Sequence, residues 1–251
     1  MPEERTLGGE FEPIPRRKLH LFFLIDCSGS MFGGKIGTVN QSMRDVLLEL
    51  NDAGGADADV SVAVLLFSSG CRWMTAVPQA PDKLRWEDVE ADGVTDLGEA
   101  CMELERKLSR DEFIEKNKAY FKPVIILLSD GDPTDDYKKG LEALNKNNWF
   151  KNSTKIALPI GKDANRQVMA EFTGNVEYVL KEASNPAELR MMLRAVSVSS
   201  TSFASRSSTS GVSQSDALVE ELHRIQDNPD DYVVSAPVGV DIPDYEDEEW
   251  D

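Results

Sequence analysis

Basic residues and long apolar runs are both scarce in this sequence of 251 residues. Its 27 Lys and Arg are outnumbered by 45 Asp and Glu, which gives a formal net charge of −18. Nucleic acids and anionic membrane surfaces are therefore not the expected partners, because both bind through basic patches. The longest apolar runs, LFFLI at 21–25 and VIILL at 124–128, are far shorter than the roughly 20 residues of a membrane-spanning helix. We expect no membrane segment.

Cysteine is also scarce. Cys27, Cys71 and Cys101 are odd in number and form no C-x-x-C pair, which disfavours a disulfide framework or a cysteine-rich zinc site. No apolar leader segment precedes them. Together these absences predict a protein of the reducing cytoplasm.

Short apolar runs alternate with longer segments of helical periodicity from about residue 18 onward. This pattern predicts a doubly wound, mostly parallel Rossmann-like α/β sheet with helices on both faces. The run at 71–77 follows its predecessor after Gly70 alone, which predicts a hairpin and one antiparallel edge strand. The other predicted strands are 19–26, 60–69, 122–131, 155–161 and 176–180, and the predicted helices are 35–53, 96–109, 135–148, 163–173 and 185–197.

The composition changes abruptly near residue 198. Residues 197–215 hold twelve Ser or Thr among nineteen positions, which predicts a flexible linker. Apolar residues at helical spacing then predict a short amphipathic helix at 216–226, and the chain ends in DYEDEEWD. The predicted organisation is an N-terminal arm at 1–17, a folded domain at 18–198, a Ser/Thr-rich linker at 199–215 and an acidic tail at 216–251.

The first predicted strand ends in three oxygen-bearing side chains at alternate positions, namely Asp26, Ser28 and Ser30. In an open α/β sheet, ligands bind beyond the carboxyl ends of the strands. The segment SGSMFGGK has neither the glycine spacing of a dinucleotide-binding loop nor that of a phosphate-binding loop. One carboxylate and two hydroxyls are hard ligands that suit Mg²⁺ or a similar divalent cation.

Two more oxygen donors follow neighbouring elements. Thr95 lies in DGVTDLGEA at the head of a helix, and Asp130 lies in LLSDGDPTDD at the end of a strand. Alone, the D-x-S-x-S pattern also fits a strand end whose hydroxyls cap the next helix, but Thr95 and Asp130 favour the metal site. We interpret Asp132 and Pro133 as a turn, and expect Thr134 or Asp135 to cap the helix that follows.

These five residues resemble the metal-ion-dependent adhesion site (MIDAS) of von Willebrand factor type A (VWA) domains. The motifs SDGDPTDD and GVTDLGEA most resemble the TerY-type stand-alone proteins of tellurium-resistance and stress-response loci, which are often associated with a protein kinase and a PP2C-type phosphatase. The resemblance implies that Asp26, Ser28, Ser30 and Thr95 contact the metal directly or through water. It implies that Asp130 usually lies behind these ligands and contacts them instead of the metal. Many members have G-G-T where this chain has Gly93, Val94 and Thr95.

A metal held by few formal charges stays incompletely neutralised and accepts an external carboxylate. By resemblance, a partner protein supplies that carboxylate from an Asp or Glu. The predicted function is therefore a cytoplasmic adaptor that binds Mg²⁺, or another divalent cation such as Mn²⁺ or Ca²⁺, in a stress, tellurite-resistance or phage-defence system.

We predict binding and no catalytic turnover, because Ser28 has no companion histidine and no general base is recognisable. His20 lies in a strand, where a structural role is expected. The alternative is an enzyme, either a metal-dependent phosphohydrolase or a chelatase-type subunit that works with an ATPase. The acidic end of the chain either solubilises the protein, docks on a basic partner or occupies the metal in cis.

Overall fold

Five strands form one sheet in the computed structural model, which describes residues 16–53, 58–109, 113–115, 118–205 and 213–228. The strand order is β3-β2-β1-β4-β5, and only the β2–β3 pairing is antiparallel. This confirms the predicted mostly parallel sheet with an antiparallel edge. The strands are β1 (Arg17–Asp26), β2 (Ala58–Ser68), β3 (Gly70–Trp73), β4 (Val124–Ser129) and β5 (Thr154–Pro159).

Strand β1 lies at the centre of the sheet. It pairs in parallel with β2 on one side and β4 on the other, and every side chain from Leu21 to Ile25 is fully buried. A strand covered on both faces needs a continuous apolar run instead of an alternating one, as LFFLI provides. The chain order reverses at β1, so Asp26 at its end lies at the crevice where such sheets bind ligands.

Helices cover both faces of the sheet, as predicted. Odd-numbered side chains of β1, such as Phe23, enter an apolar cluster with α1, α6 and α7. Even-numbered ones, such as Phe22, enter a second cluster with α2 to α5. The helices are α1 (Gly34–Ala53), α2 (Leu97–Ser109), α3 (Tyr137–Leu144), α4 (Asn148–Asn152), α5 (Arg166–Thr173), α6 (Pro186–Ser205) and α7 (Gln214–Asp227). None of these helices is both long and apolar enough to cross a bilayer.

Two predicted elements are wrong in detail. The expected strand at 176–180 is instead a 3-10 turn, Val176–Tyr178, because the Asn175 side chain accepts a hydrogen bond from the Glu177 amide and bends the chain. An isolated bridge between Val179 and Ala157 links this segment to β5. The expected helix at 135–148 is shorter, since α3 ends at Leu144 and Asn147 then caps the start of α4.

The Ser/Thr-rich segment also departs from its prediction, since α6 continues through residues 199–205 instead of ending in a linker. Ser200 and Thr201 are buried there. The hydroxyl of Thr201 donates to the Ser197 carbonyl at 3.0 Å, so a hydroxyl bond one helical turn back satisfies a polar side chain inside the helix.

The helix expected at 216–226 is present as α7, but it packs against α6. Its apolar face is buried in the same cluster as β1, through Leu218, Leu222 and Ile225. Helix α7 is therefore part of the folded core, whereas the prediction assigns these residues to a tail outside it. The predicted arm before residue 16, the rest of the linker at 206–212 and the acidic end at 229–251 lie outside the described residues.

His20 is buried in β1 beside the rings of Phe22 and Tyr120. Its Nε2 donates to the Phe113 carbonyl at 2.9 Å, and burial lowers its pKa from 6.5 to about 4. The folded state thus binds the proton less well than the unfolded state, so stability is lost as pH falls from 6.5 toward 4. The structural role expected of this residue agrees with its surroundings.

We expect the free energy of unfolding to fall by about 3 kcal/mol more in the wild type than in His20→Gln between pH 7 and pH 4. The Gln amide still donates to the carbonyl but does not titrate in this range. Urea unfolding at several pH values measures the difference. Parallel pH profiles for the two proteins would contradict the assignment.

Candidate metal centre

The candidate site lies at the carboxyl ends of the adjacent strands β1 and β4. Asp26 ends β1, Ser129 ends β4, and Asp130 follows directly. Asp26 is fully buried and Asp130 is 4% exposed. Two carboxylates of low exposure thus lie side by side at the centre of the sheet edge, where the sequence placed them.

The loop after β1 turns its oxygens to one side. The Ser28 amide donates to Asp26 Oδ1 at 2.9 Å, Ser28 Oγ lies 3.1 Å from Ser30 Oγ, and Ser30 Oγ donates to Asp130 Oδ1 at 2.7 Å. Cys27, between them, turns away and donates to the Phe67 carbonyl. Because the polar residues of D-x-S-x-S alternate with others, Asp26, Ser28 and Ser30 lie next to one another, and Ser30 in turn contacts Asp130.

Thr95 comes to the same place from the segment before α2. It is buried, and a methyl group built on Gly131 would lie 3.5 Å from Ser30 Oγ and 3.9 Å from Thr95 Oγ1. The hydroxyls of Ser30 and Thr95 therefore both lie close to Gly131. The structure brings together all five residues that the sequence singled out.

The backbone of Thr95 is held by the loop after β4. Its amide donates to Thr134 Oγ1 at 3.0 Å, and its carbonyl accepts from the Thr134 amide at 2.9 Å. Asp135 accepts from the Gly98 and Glu99 amides at 3.0 and 2.9 Å, and so caps the start of α2. The expectation that Thr134 or Asp135 caps the following helix is wrong, because Asp136 caps α3.

Sequence reasoning missed two residues of the site. Ser129 Oγ donates to Asp26 Oδ2 at 2.6 Å. Lys35, in the first turn of α1, places Nζ 2.6 Å from Asp130 Oδ2 and 3.4 Å from the Ser30 carbonyl oxygen. Ser129 adjoins Asp130 in the S-D-G motif, which was a usable signal, but nothing local to Lys35 indicates a partner 95 positions away.

Burial dominates the electrostatics of Asp26 and raises its pKa, against the lowering effect of bonds from Ser129 and Ser28. The neighbouring charge of Asp130 raises the pKa of Asp26 further. A cation beside Asp26 relieves both penalties, because it stabilises the ionised form.

The donor set fits a hard divalent cation. The carboxylate of Asp26 and the hydroxyls of Ser28, Ser30 and Thr95 are oxygen ligands of the kind that Mg²⁺ binds, with water completing its coordination. Among the residues that the structure describes, no three His, Cys, Asp or Glu side chains cluster as a metal site, which agrees with a site built largely from hydroxyls. Metals that need thiolate or imidazole ligands are disfavoured at this edge.

The family model of the von Willebrand factor type A domain matches residues 20–238, and no curated protein matches the chain significantly. Several solved structures share its fold. The ArnB paralog VWA2 from Sulfolobus acidocaldarius has a TM-score of 0.53 and 22% identity, over 70% of this chain and 44% of that one. A von Willebrand factor type A structure from Catenulispora acidiphila has a TM-score of 0.53 and 17% identity, over 74% and 43% of the two chains.

A third structure is proximal thread matrix protein 1 from the mussel byssus with a zinc-occupied MIDAS motif. Its TM-score is 0.52 and its identity 18%, over 74% of this chain and 46% of that one. The chain spans less than half the length of these three structures. At such identities the likeness concerns the fold.

Proposed function

The chain belongs to the von Willebrand factor type A domain family, and on that premise we propose that it is a Mg²⁺-dependent protein-binding module. The metal would be held by Asp26, Ser28, Ser30 and Thr95, with Asp130 acting through Ser30. The observation that carries this proposal is the convergence of these side chains from three separate segments at the carboxyl edge of the sheet. A solved structure of the same fold with zinc at its MIDAS motif supports a divalent ion at this edge.

The charge balance favours an external carboxylate as the recognised group. Asp130 is already paired with Lys35, so Asp26 is the carboxylate left to neutralise a divalent ion. A metal with residual positive charge attracts an anionic ligand. The partner therefore supplies an Asp or Glu side chain.

Apolar side chains at the rim favour a protein as the source of that carboxylate. Phe32 is 79% exposed and Val94 is 46% exposed. They lie on adjoining loops, since the Gly29 amide donates to the Gly93 carbonyl at 3.0 Å. Exposed aromatic and aliphatic groups beside a polar centre are typical of interaction sites. We expect the partner's acidic residue to be accompanied by an apolar one.

Binding without turnover is part of the same proposal. The two histidines serve other contacts, since His20 bonds the Phe113 carbonyl and His223 in α7 bonds the Glu177 carbonyl. Neither is placed to act as a base beside Asp26. If the protein is instead a metal-dependent phosphohydrolase, a generic phosphoester with Mg²⁺ or Mn²⁺ is turned over, and Asp26→Asn abolishes that turnover.

The cellular setting rests on the motif resemblance alone. SDGDPTDD and GVTDLGEA favour a cytoplasmic TerY-type protein of a tellurite-resistance, stress-response or phage-defence assembly. A protein kinase and a PP2C-type phosphatase are the proposed partners. Co-purification of the tagged protein from its native cells, with and without chelator, tests this setting.

Selection from a displayed peptide library tests the recognition mode directly. In Mg²⁺ we expect the full chain to enrich peptides that contain an Asp or Glu next to an apolar residue. The same peptides should lose binding at least tenfold in EDTA, or when their acid is changed to the amide, because the metal–carboxylate bond is lost in both cases. Peptides that bind equally well in EDTA would contradict a metal-mediated contact.

A further inference from the structure

Lys35 places an ammonium group against the oxygen cluster. Its Nζ lies 2.6 Å from Asp130 Oδ2, and the two side chains are 19% and 1% exposed. The same Nζ reaches the Ser30 carbonyl oxygen at 3.4 Å. The cationic end of this side chain therefore touches two of the residues that the proposed metal site uses.

Packing from the opposite side holds the lysine in place. Gly161, which follows β5, has a φ of +80°, and a methyl group built on it would lie 3.3 Å from Lys35 Cε and 3.4 Å from Nζ. The end of the side chain thus runs between Gly161 and Asp130. Glycine leaves room for the ammonium, and its left-handed backbone is one that other residues rarely adopt.

Lys35 lies where two carboxylates would otherwise repel each other. Asp26 ends β1 and Asp130 follows the end of the adjacent strand β4, so two buried carboxylates repel each other at the sheet edge. Among the described residues, Lys35 is the only one whose ammonium or guanidinium forms an ion pair with either of them. A divalent ion bound to Asp26 and Ser30 would lie near this ammonium and be repelled by it.

We propose that Lys35 is a tethered cation that takes over part of the metal's role when the metal is absent and weakens metal binding when it is present. In the metal-free protein it neutralises Asp130 and stabilises the sheet edge. In the metal-bound protein it neutralises Asp130, so that Asp130 offsets less of the metal's positive charge. The metal then depends more on a partner's carboxylate. This inference rests on the proposed metal site.

Lys35→Met separates the two effects, because it keeps an unbranched side chain only one atom shorter and removes the charge. In EDTA we expect its melting temperature to fall below that of the wild type, since Asp130 loses its counter-charge. In calorimetric titration with Mg²⁺ alone we expect its dissociation constant to fall about tenfold. Lys35→Arg should restore wild-type behaviour in both measurements.

Lys146→Met is the matched control, because that side chain is 74% exposed and pairs with Glu142 on the surface. It should change neither measurement. A Lys35→Met protein that binds Mg²⁺ no more tightly than the wild type overturns the proposal. If this variant does not fold in EDTA, folding upon addition of Mg²⁺ supports the proposal, and failure to fold in Mg²⁺ overturns it.

The outcome also separates this inference from the function on which it rests. If the wild type binds no divalent ion, the proposed metal site is wrong, and so is the claim that Lys35 competes with the metal. If the wild type binds Mg²⁺ and Lys35→Met binds it with the same affinity, the metal site stands and only the proposed role of Lys35 is wrong.

Discussion

We expect Asp26→Asn to abolish Mg²⁺ binding while the fold is retained. Asp26 is the buried carboxylate at the centre of the site, and a neutral amide binds a hard divalent cation far more weakly. The fold is retained because the amide has nearly the same shape. Its oxygen can accept from the Ser28 amide and its nitrogen can donate to Ser129 Oγ, in place of the bonds that the carboxylate makes now.

The variant should be at least as stable as the wild type in EDTA at neutral pH. Burial raises the pKa of Asp26 above its ordinary value of 3.8. A raised carboxyl pKa contributes stability that is complete below the ordinary value and is lost as pH rises through the raised one. The ionised form is therefore a cost to the metal-free fold at neutral pH, and asparagine does not carry that cost.

Calorimetry and thermal melts measure both parts of this prediction. The Mg²⁺ dissociation constant of Asp26→Asn should rise at least a hundredfold. Added Mg²⁺ should raise the melting temperature of the wild type but not that of Asp26→Asn, because a ligand stabilises the state that binds it. Asp82→Asn removes a charge from an exposed position and should behave as the wild type. Normal Mg²⁺ binding by Asp26→Asn would remove this residue from the site.

Gly140→Ala should cost the fold about 3 kcal/mol or more, although alanine usually stabilises a helix relative to glycine. Helices α2 and α3 cross at Gly98 and Gly140 with their backbones in contact. A methyl group on Gly140 would lie 2.8 Å from the Cα and carbonyl carbon of Gly98 and closer still to its oxygen. These are backbone atoms, so no flexible side chain can move aside and the helices must separate.

Urea unfolding compares this variant with Gly37→Ala in α1, where an added methyl group meets no atom within 4 Å. The control should gain about 0.5 to 1 kcal/mol from helix propensity. Gly140→Ala should also weaken Mg²⁺ binding, since Thr95 precedes α2 and is held by the loop that leads into α3. Equal stabilities for the two alanine variants would show that the crossing is not as tight as described.

The sheet and the meeting of the candidate ligand residues are predictable from the sequence because both depend on local patterns. LFFLI and VIILL contain no polar interruption, which requires cover on both faces, and a strand end is where such a sheet binds ligands. The alternate spacing of Asp26, Ser28 and Ser30 then places three oxygens on one side of the chain. These inferences need no knowledge of distant contacts.

Long-range packing decides the features that the sequence does not show. The hydroxyl side chains of α6 look incompatible with a core, but Ser197 and Thr201 each donate to a carbonyl one helical turn earlier. Asp135 looks like the cap of the helix that follows it, but it caps a helix that begins almost forty positions earlier. Lys35 acquires its role only when β4 lies beside β1 and presents Asp130.

The pairing of β1 with β4 also fixes when the site can exist during protein synthesis. Asp26 and Ser129 are 103 positions apart in the chain, so the first carboxylate leaves the ribosome long before the hydroxyl that bonds it. The loops that carry Asp26 and Thr95 are bonded to each other without β4, since the Gly29 amide donates to the Gly93 carbonyl, but Asp130 joins them only when β4 pairs with β1. The candidate metal site is therefore complete, with Asp130 and Ser129 in place, only after two strands that are distant in the chain have paired.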